Sequence, residues 1–119
     1  MAPVPGSPDL AEIQARLEAI LDPYRDRLEP STIYGIPTLL RPGASAHDWF
    51  AFVKPASRHV SLFLLPVVTW PDLLDGCPPV LMAHHAGTST FTFRRMDEPA
   101  VAALEALVAR AFNRYMSAG

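Results

Sequence analysis

The stretches Trp49-Phe50-Ala51-Phe52-Val53 and Val60-Ser61-Leu62-Phe63-Leu64-Leu65 are short, rich in aromatic and β-branched residues, and apolar at almost every position. They read as two strands. Successive side chains of a strand leave on opposite faces, so Trp49, Ala51, Val53, Val60, Leu62 and Leu64 form one set, and Phe50, Phe52, Phe63 and Leu65 the other. Both faces then need cover, unlike a half-exposed strand that alternates apolar with polar. A chain this short has helices enough for one face. The other is expected to offer an apolar surface to a small ligand, a protein partner or a second copy of the chain.

Working outward, Pro55-Ala56-Ser57 is a turn between these strands, and Pro42-Gly43-Ala44-Ser45 a turn into the first of them. The result is an antiparallel meander. Ile33 to Leu40 is β-rich but interrupted by Gly35 and Pro37, and reads as a single bent or bulged edge strand. Thr88 to Phe93 alternates strictly, with threonines on one side and Ser89, Phe91 and Phe93 on the other.

Helical spacing marks the two ends. Ser7 suits an N-cap and Pro8 the first helical position, after which Leu10, Ile13, Leu17, Ile20, Leu21 and Tyr24 recur at helical intervals. Pro23 should stop that helix near Leu21, leaving room for one more turn up to Leu28. Asp97 is placed to cap a last helix whose stripe is Val101, Leu104, Leu107, Val108, Ala111, Phe112 and Tyr115. Between the strands, Trp70 to Gly76 reads as a short helical turn. Pro78-Pro79 opens a second short helix, Val80 to His85 forms its body, and Gly87 ends it in a left-handed conformation. The expected fold is α+β: a two-layer sandwich of a mostly antiparallel sheet with the N- and C-terminal helices packed on one face.

The chain has 119 residues, enough for one core, expected over residues 9–117 behind a tail at 1–8. Its formal net charge of -2, without a basic run interleaved with aromatics, speaks against a nucleic-acid surface. Cys77 is the only cysteine, so no internal disulfide forms. No apolar run approaches the roughly 20 residues of a membrane helix, and no secretory pattern opens the chain, so the expected location is the cytoplasm, away from membranes.

The order Ile33-Tyr34-Gly35-Ile36-Pro37-Thr38, then Trp49-Phe50-Ala51-Phe52, then Val60-Ser61-Leu62-Phe63-Leu64-Leu65-Pro66 resembles the bacterial YdhG-like family, also called the DUF1801 domain. Pro71-Asp72-Leu73-Leu74, Gly87 with Ser89-Thr90-Phe91-Thr92-Phe93, and Ala111-Phe112-Asn113-Arg114-Tyr115 extend the resemblance over about residues 10 to 116. It implies a small frataxin-like α+β fold and, for some relatives, a role in handling intracellular iron. Many similar relatives carry Gly-Lys-Ser-Cys where this chain has Gly87-Thr88-Ser89-Thr90, so any function of that lysine and thiol has no counterpart here.

Iron handling calls for hard oxygen ligands on one surface. Glu18, Asp22 and Asp26 are the best acidic ridge, but Arg16, Arg25 and Arg27 lie beside them, and a solvated helix face is the simpler account. Adjacent His84 and His85 would point about 100° apart on a helix and do not chelate one ion. His47 is a further nitrogen donor without a partner at ligand spacing. Nothing resembles a nucleophile elbow, and the glycines are scattered rather than gathered in a phosphate loop. The expectation is a non-enzymatic binding domain without a cofactor. Its candidate ligand-facing residues are Tyr34, Trp49, Phe50, Phe52, His59, Phe63, Thr90 and Phe91, around an aromatic sheet surface. Two alternatives stand beside it: an iron-delivery protein using Glu18, Asp22 and Asp26, and a structural homodimer with no ligand.

Overall fold

The computed structural model describes residues 10–33, 35–40, 49–95 and 98–118. The expected caps Ser7 and Asp97, the Pro42–Ser45 turn, and residues Tyr34 and His47 lie outside them.

Helix α1 runs Leu10–Leu21, burying Ile13, Leu17, Ile20 and Leu21 at the spacing that makes one face. Pro23 lacks the N–H that would continue it, and the chain tightens into a 3-10 turn over Asp22–Arg27. The sheet has six antiparallel strands: β1 (Glu29–Ile33), β2 (Ile36–Leu40), β3 (Trp49–Pro55), β4 (Val60–Leu64), β5 (His85–Gly87) and β6 (Thr90–Phe93). Their spatial order is β1-β2-β3-β4-β6-β5. Two short helices, α2 (Pro66–Thr69) and α3 (Pro79–Met82), flank a 3-10 turn at Pro71–Leu74, and α4 (Glu98–Ala118) ends the fold. The α+β class, the antiparallel sheet and the terminal helices agree with the sequence reading.

Four local expectations are corrected. The Ile33–Leu40 segment is not one bent strand. It is the bend of a β1–β2 hairpin with Ile33 opposite Ile36, and Gly35 takes φ +80° in the loop, a conformation costly for any residue with a Cβ. The strand expected through Leu65 ends at Leu64, and Pro66 opens α2, where its fixed φ suits the first helical turn. The helix expected to reach His85 stops at Met82, and His85–Gly87 pairs with β6 as an edge strand. The strand expected from Thr88 begins at Thr90, since Thr88 and Ser89 turn between β5 and β6.

A fifth correction carries the most weight. Leu39 pairs with Ala51 and Leu40 with Trp49, which leaves Phe50 as an extra residue without a partner on β2. This is a β-bulge, and it breaks the two-residue alternation at one position. Phe50 therefore joins Ala51 on the helix-covered side, fully buried, with its ring 5.6 Å from Phe112 and 5.3 Å from Tyr115 of α4. Tyr24 closes the same aromatic group at 4.6 Å from Phe112 and 6.2 Å from Phe50.

Beyond the bulge the alternation holds. Ala51, Val53, Val60, Leu62, Leu64, Phe91 and Phe93 join one core cluster with α1 and with the Val101, Leu104, Leu107, Val108, Ala111, Phe112 and Tyr115 stripe of α4. Each large side chain so buried contributes about 1.5–3 kcal/mol of transfer free energy. The other face carries two cross-strand rows. In one, Phe52 stands opposite Phe63 and Phe63 opposite Thr90; in the other, Lys54 is opposite Ser61 and Ser61 opposite Thr92.

Candidate functional site

The residues expected to face a ligand do not converge. Phe50 and Phe91 belong to the buried core beneath the helices, because the bulge redirects the first and strict alternation places the second. Phe52, Phe63 and Thr90 share the far face. There the Phe52 and Phe63 rings stack at 4.5 Å, 6° from parallel, and Phe52 keeps only 7% of its surface exposed. The neighbouring row is polar, with the Ser61 and Thr92 hydroxyls 3.0 Å apart. Among the described residues, the far face of β3, β4 and β6 thus carries one aromatic pair bordered by hydroxyls. His59 lies in the β3–β4 turn, its carbonyl accepting the Ala56 N–H at 2.8 Å. Tyr34 lies outside the described residues.

Trp49 is different. At the start of β3 it lines a notch of about 150 Å³ with Leu65, Pro66, Val68, Thr69, Trp70 and Tyr115. Val68, 54% exposed, is the one large hydrophobic side chain that stands in solvent among the described residues. Local chemistry builds this notch. Pro66 starts α2, the Trp70 N–H bonds back to the Pro66 carbonyl at 2.8 Å, and the Leu73 N–H bonds to the Trp70 carbonyl at 3.0 Å. Two successive short turns on α4 thus present Val68 and Trp70 at the surface.

Beside the notch, the 3-10 turn and α4 enclose an open groove of about 550 Å³ lined by Asp72, Leu73, Asp75, Arg110, Asn113, Arg114 and Ser117. Arg114 joins the two sites: its guanidinium lies 5.5 Å over the Trp70 ring and bonds both Asp72 carboxylate oxygens at 3.3 and 3.4 Å. Arg110 behaves otherwise. It donates to the Leu73 carbonyl at 3.2 Å and lies 3.6 Å from the Cys77 Sγ, and no carboxylate among the described residues pairs with it. Asp75, at the same groove, likewise has no cationic partner among the described residues. Gly76, at φ +81°, turns the chain between Asp75 and Cys77.

No protein-family model, no curated protein and no solved structure matches this chain. The donors it offers must therefore be weighed by geometry alone. Glu18 and Asp22 both lean on Arg25, at 3.5 and 2.7 Å, so the acidic ridge is neutralised from within. Among the described residues no three histidine, cysteine, aspartate or glutamate side chains gather as a metal cage would require. His84 and His85 are held by the sheet end: His84 stacks on Phe93 at 4.4 Å with Nδ1 3.2 Å from the Thr92 carbonyl, and His85 packs at 5.2 Å from Phe91. His84 directly follows the C-cap of α3, whereas His85 already belongs to β5. Nor is any helix of the described residues long and apolar enough to cross a membrane.

The sequence reading missed the notch because its parts are separated: Trp49 opens β3, Val68 and Trp70 follow β4, and Tyr115 lies in α4. One signal was available. Val68 follows Pro66-Val67, where Pro66 can start a helical turn, and a four-residue turn cannot bury both valines.

Proposed function

We propose that this chain is a small non-enzymatic binding domain of the YdhG-like type, acting in the cytoplasm, whose ligand seats at the Trp49–Val68–Trp70 notch rather than across the flat of the sheet. The observation that carries this reading is Val68, the one large apolar side chain among the described residues left in solvent, beside Trp70. Exposed apolar surface next to an indole face is what a ligand with an apolar portion covers. The order of elements along the chain supports the family part of the reading. The neutralised ridge at Glu18, Asp22 and Arg25 makes iron delivery the weaker alternative.

Native mass spectrometry of the protein purified from its own host tests the proposal. The expected spectrum shows a monomer carrying a non-covalent organic adduct, which Val68→Asp and Trp70→Ala both remove while the circular-dichroism spectrum stays unchanged. An adduct untouched by these substitutions, or a bound iron in its place, overturns the reading. A dimer without adduct favours the structural homodimer instead.

A further inference from the structure

The notch and the groove differ in what they lack. Among the described residues, the notch leaves Val68 without apolar cover, and the groove leaves Arg110 without an anionic partner. Burying either alone is incomplete recognition, since an apolar ligand leaves the guanidinium untouched and a bare anion leaves Val68 in water. We infer that, on the binding reading given above, the site takes an amphipathic organic monoanion: its apolar portion fills the Trp49–Val68–Trp70 notch, and its carboxylate lies on the Arg110 guanidinium.

Three observations narrow the ligand to this class. First, Arg110 is positioned in advance, because the Leu73 carbonyl and the Cys77 sulfur both lie at its Nη2. The Nη1 and Nε N–H groups remain to donate to a carboxylate oxygen. Second, Asp72 and Asp75 line the same groove, and Asp72 is already engaged by Arg114. Two carboxylates repel a phosphate dianion far more than a single carboxylate, so a monoanion is the charge the groove tolerates. Third, the distance between the two subsites is set by one 3-10 turn. The Trp70 carbonyl accepts from the Leu73 N–H, and the Leu73 carbonyl accepts from Arg110. A turn of this kind advances roughly 6 Å, about the span of a three-carbon linker between a ring or branched alkyl group and a carboxylate.

The chain has two tryptophans, and both, Trp49 and Trp70, line the notch, so their indole N–H signals in a proton–nitrogen correlation spectrum report occupancy directly. The probe is 4-phenylbutyrate, compared with 4-phenylbutan-1-ol, which keeps the ring and linker but carries no charge. The expected result is a saturable shift of both indole signals, with the acid binding about tenfold tighter than the alcohol. Arg110→Gln should abolish that preference, Arg110→Lys should retain part of it, and Asp75→Asn should strengthen acid binding by a few-fold. An alcohol that binds as tightly as the acid, or a preference that survives Arg110→Gln, overturns the anion inference and leaves the apolar notch intact. Indole signals unmoved by either probe overturn the inference too, and the adduct spectrum of the native protein then judges the binding reading separately.

Discussion

The two faces of the sheet use their aromatic residues in opposite ways. On the helix-covered face Phe50, Phe91 and Phe93 have no exposed surface, and Phe50 is held by Phe112 and Tyr115 of α4. On the far face Phe52 and Phe63 stack on each other, beside the Ser61–Thr92 hydroxyl contact. The contrast shows that a strand apolar at every position need not leave an apolar face open. A bulge moved one ring to the core, and two others stack on each other.

Truncations measure this difference most strongly. Phe50→Ala should cost about 3–5 kcal/mol in urea unfolding, as expected for a buried ring whose surroundings cannot collapse. Phe63→Ala, on the far face and half-buried, should cost about 1–2 kcal/mol by the same measurement, since it loses one stacking partner and partial burial. Equal costs would break the comparison and show that the far face is packed as firmly as the core.

A smaller effect probes the hairpin that enlarged the sheet. A Cβ at Gly35 meets no atom within 4 Å, so Gly35→Ala is penalised only by the positive φ. The expected loss is about 1–2 kcal/mol, measured by thermal unfolding, with no change in the ligand-probe titration. An unchanged midpoint would mean that the loop relaxes freely.

Titration sharpens the helix-covered side and has the least effect. A hydrogen bond from the Arg16 guanidinium holds the Glu98 carboxyl below its usual range, tying α1 to the start of α4 at 2.7 Å. The unfolded chain therefore binds that proton more readily. The contribution is present above the ordinary glutamate value of 4.5 and is lost as pH falls through the lowered folded value. Arg16→Gln should flatten this acid limb only slightly, because the pair is solvent-exposed. At the alkaline end, burial first and the Glu105 charge second raise the Tyr24 phenol, so its contribution is present below 10.0 and lost as pH rises beyond it. Tyr24→Phe should remove that alkaline loss in unfolding curves taken across the range.

Local pattern was legible wherever one residue type dictated the backbone. The α4 stripe from Val101 to Tyr115 is buried as its spacing requires, Pro23 ends α1, and the β3–β4 pair occupies the expected strands. Glu29–Thr32 gave no strand signal because Pro30 is a poor strand former, and it pairs only because β2 folds back on it. His85 changed from helix to strand for a similar reason: β6 offered hydrogen bonds that three residues of helix could not match.

By itself the amino-acid order determined the class of fold, the two terminal helices, and a core face drawn from alternate positions of the central strands, because these follow from local periodicity and burial. Only the tertiary structure decided the side on which Phe50 lies, since a bulge is a mismatch between two strands and exists in neither alone. It also decided the site. The notch joins Trp49, Val68, Trp70 and Tyr115, and Arg110 reaches the groove through Leu73 and Cys77, so neither exists until α2 and the 3-10 turn pack on α4.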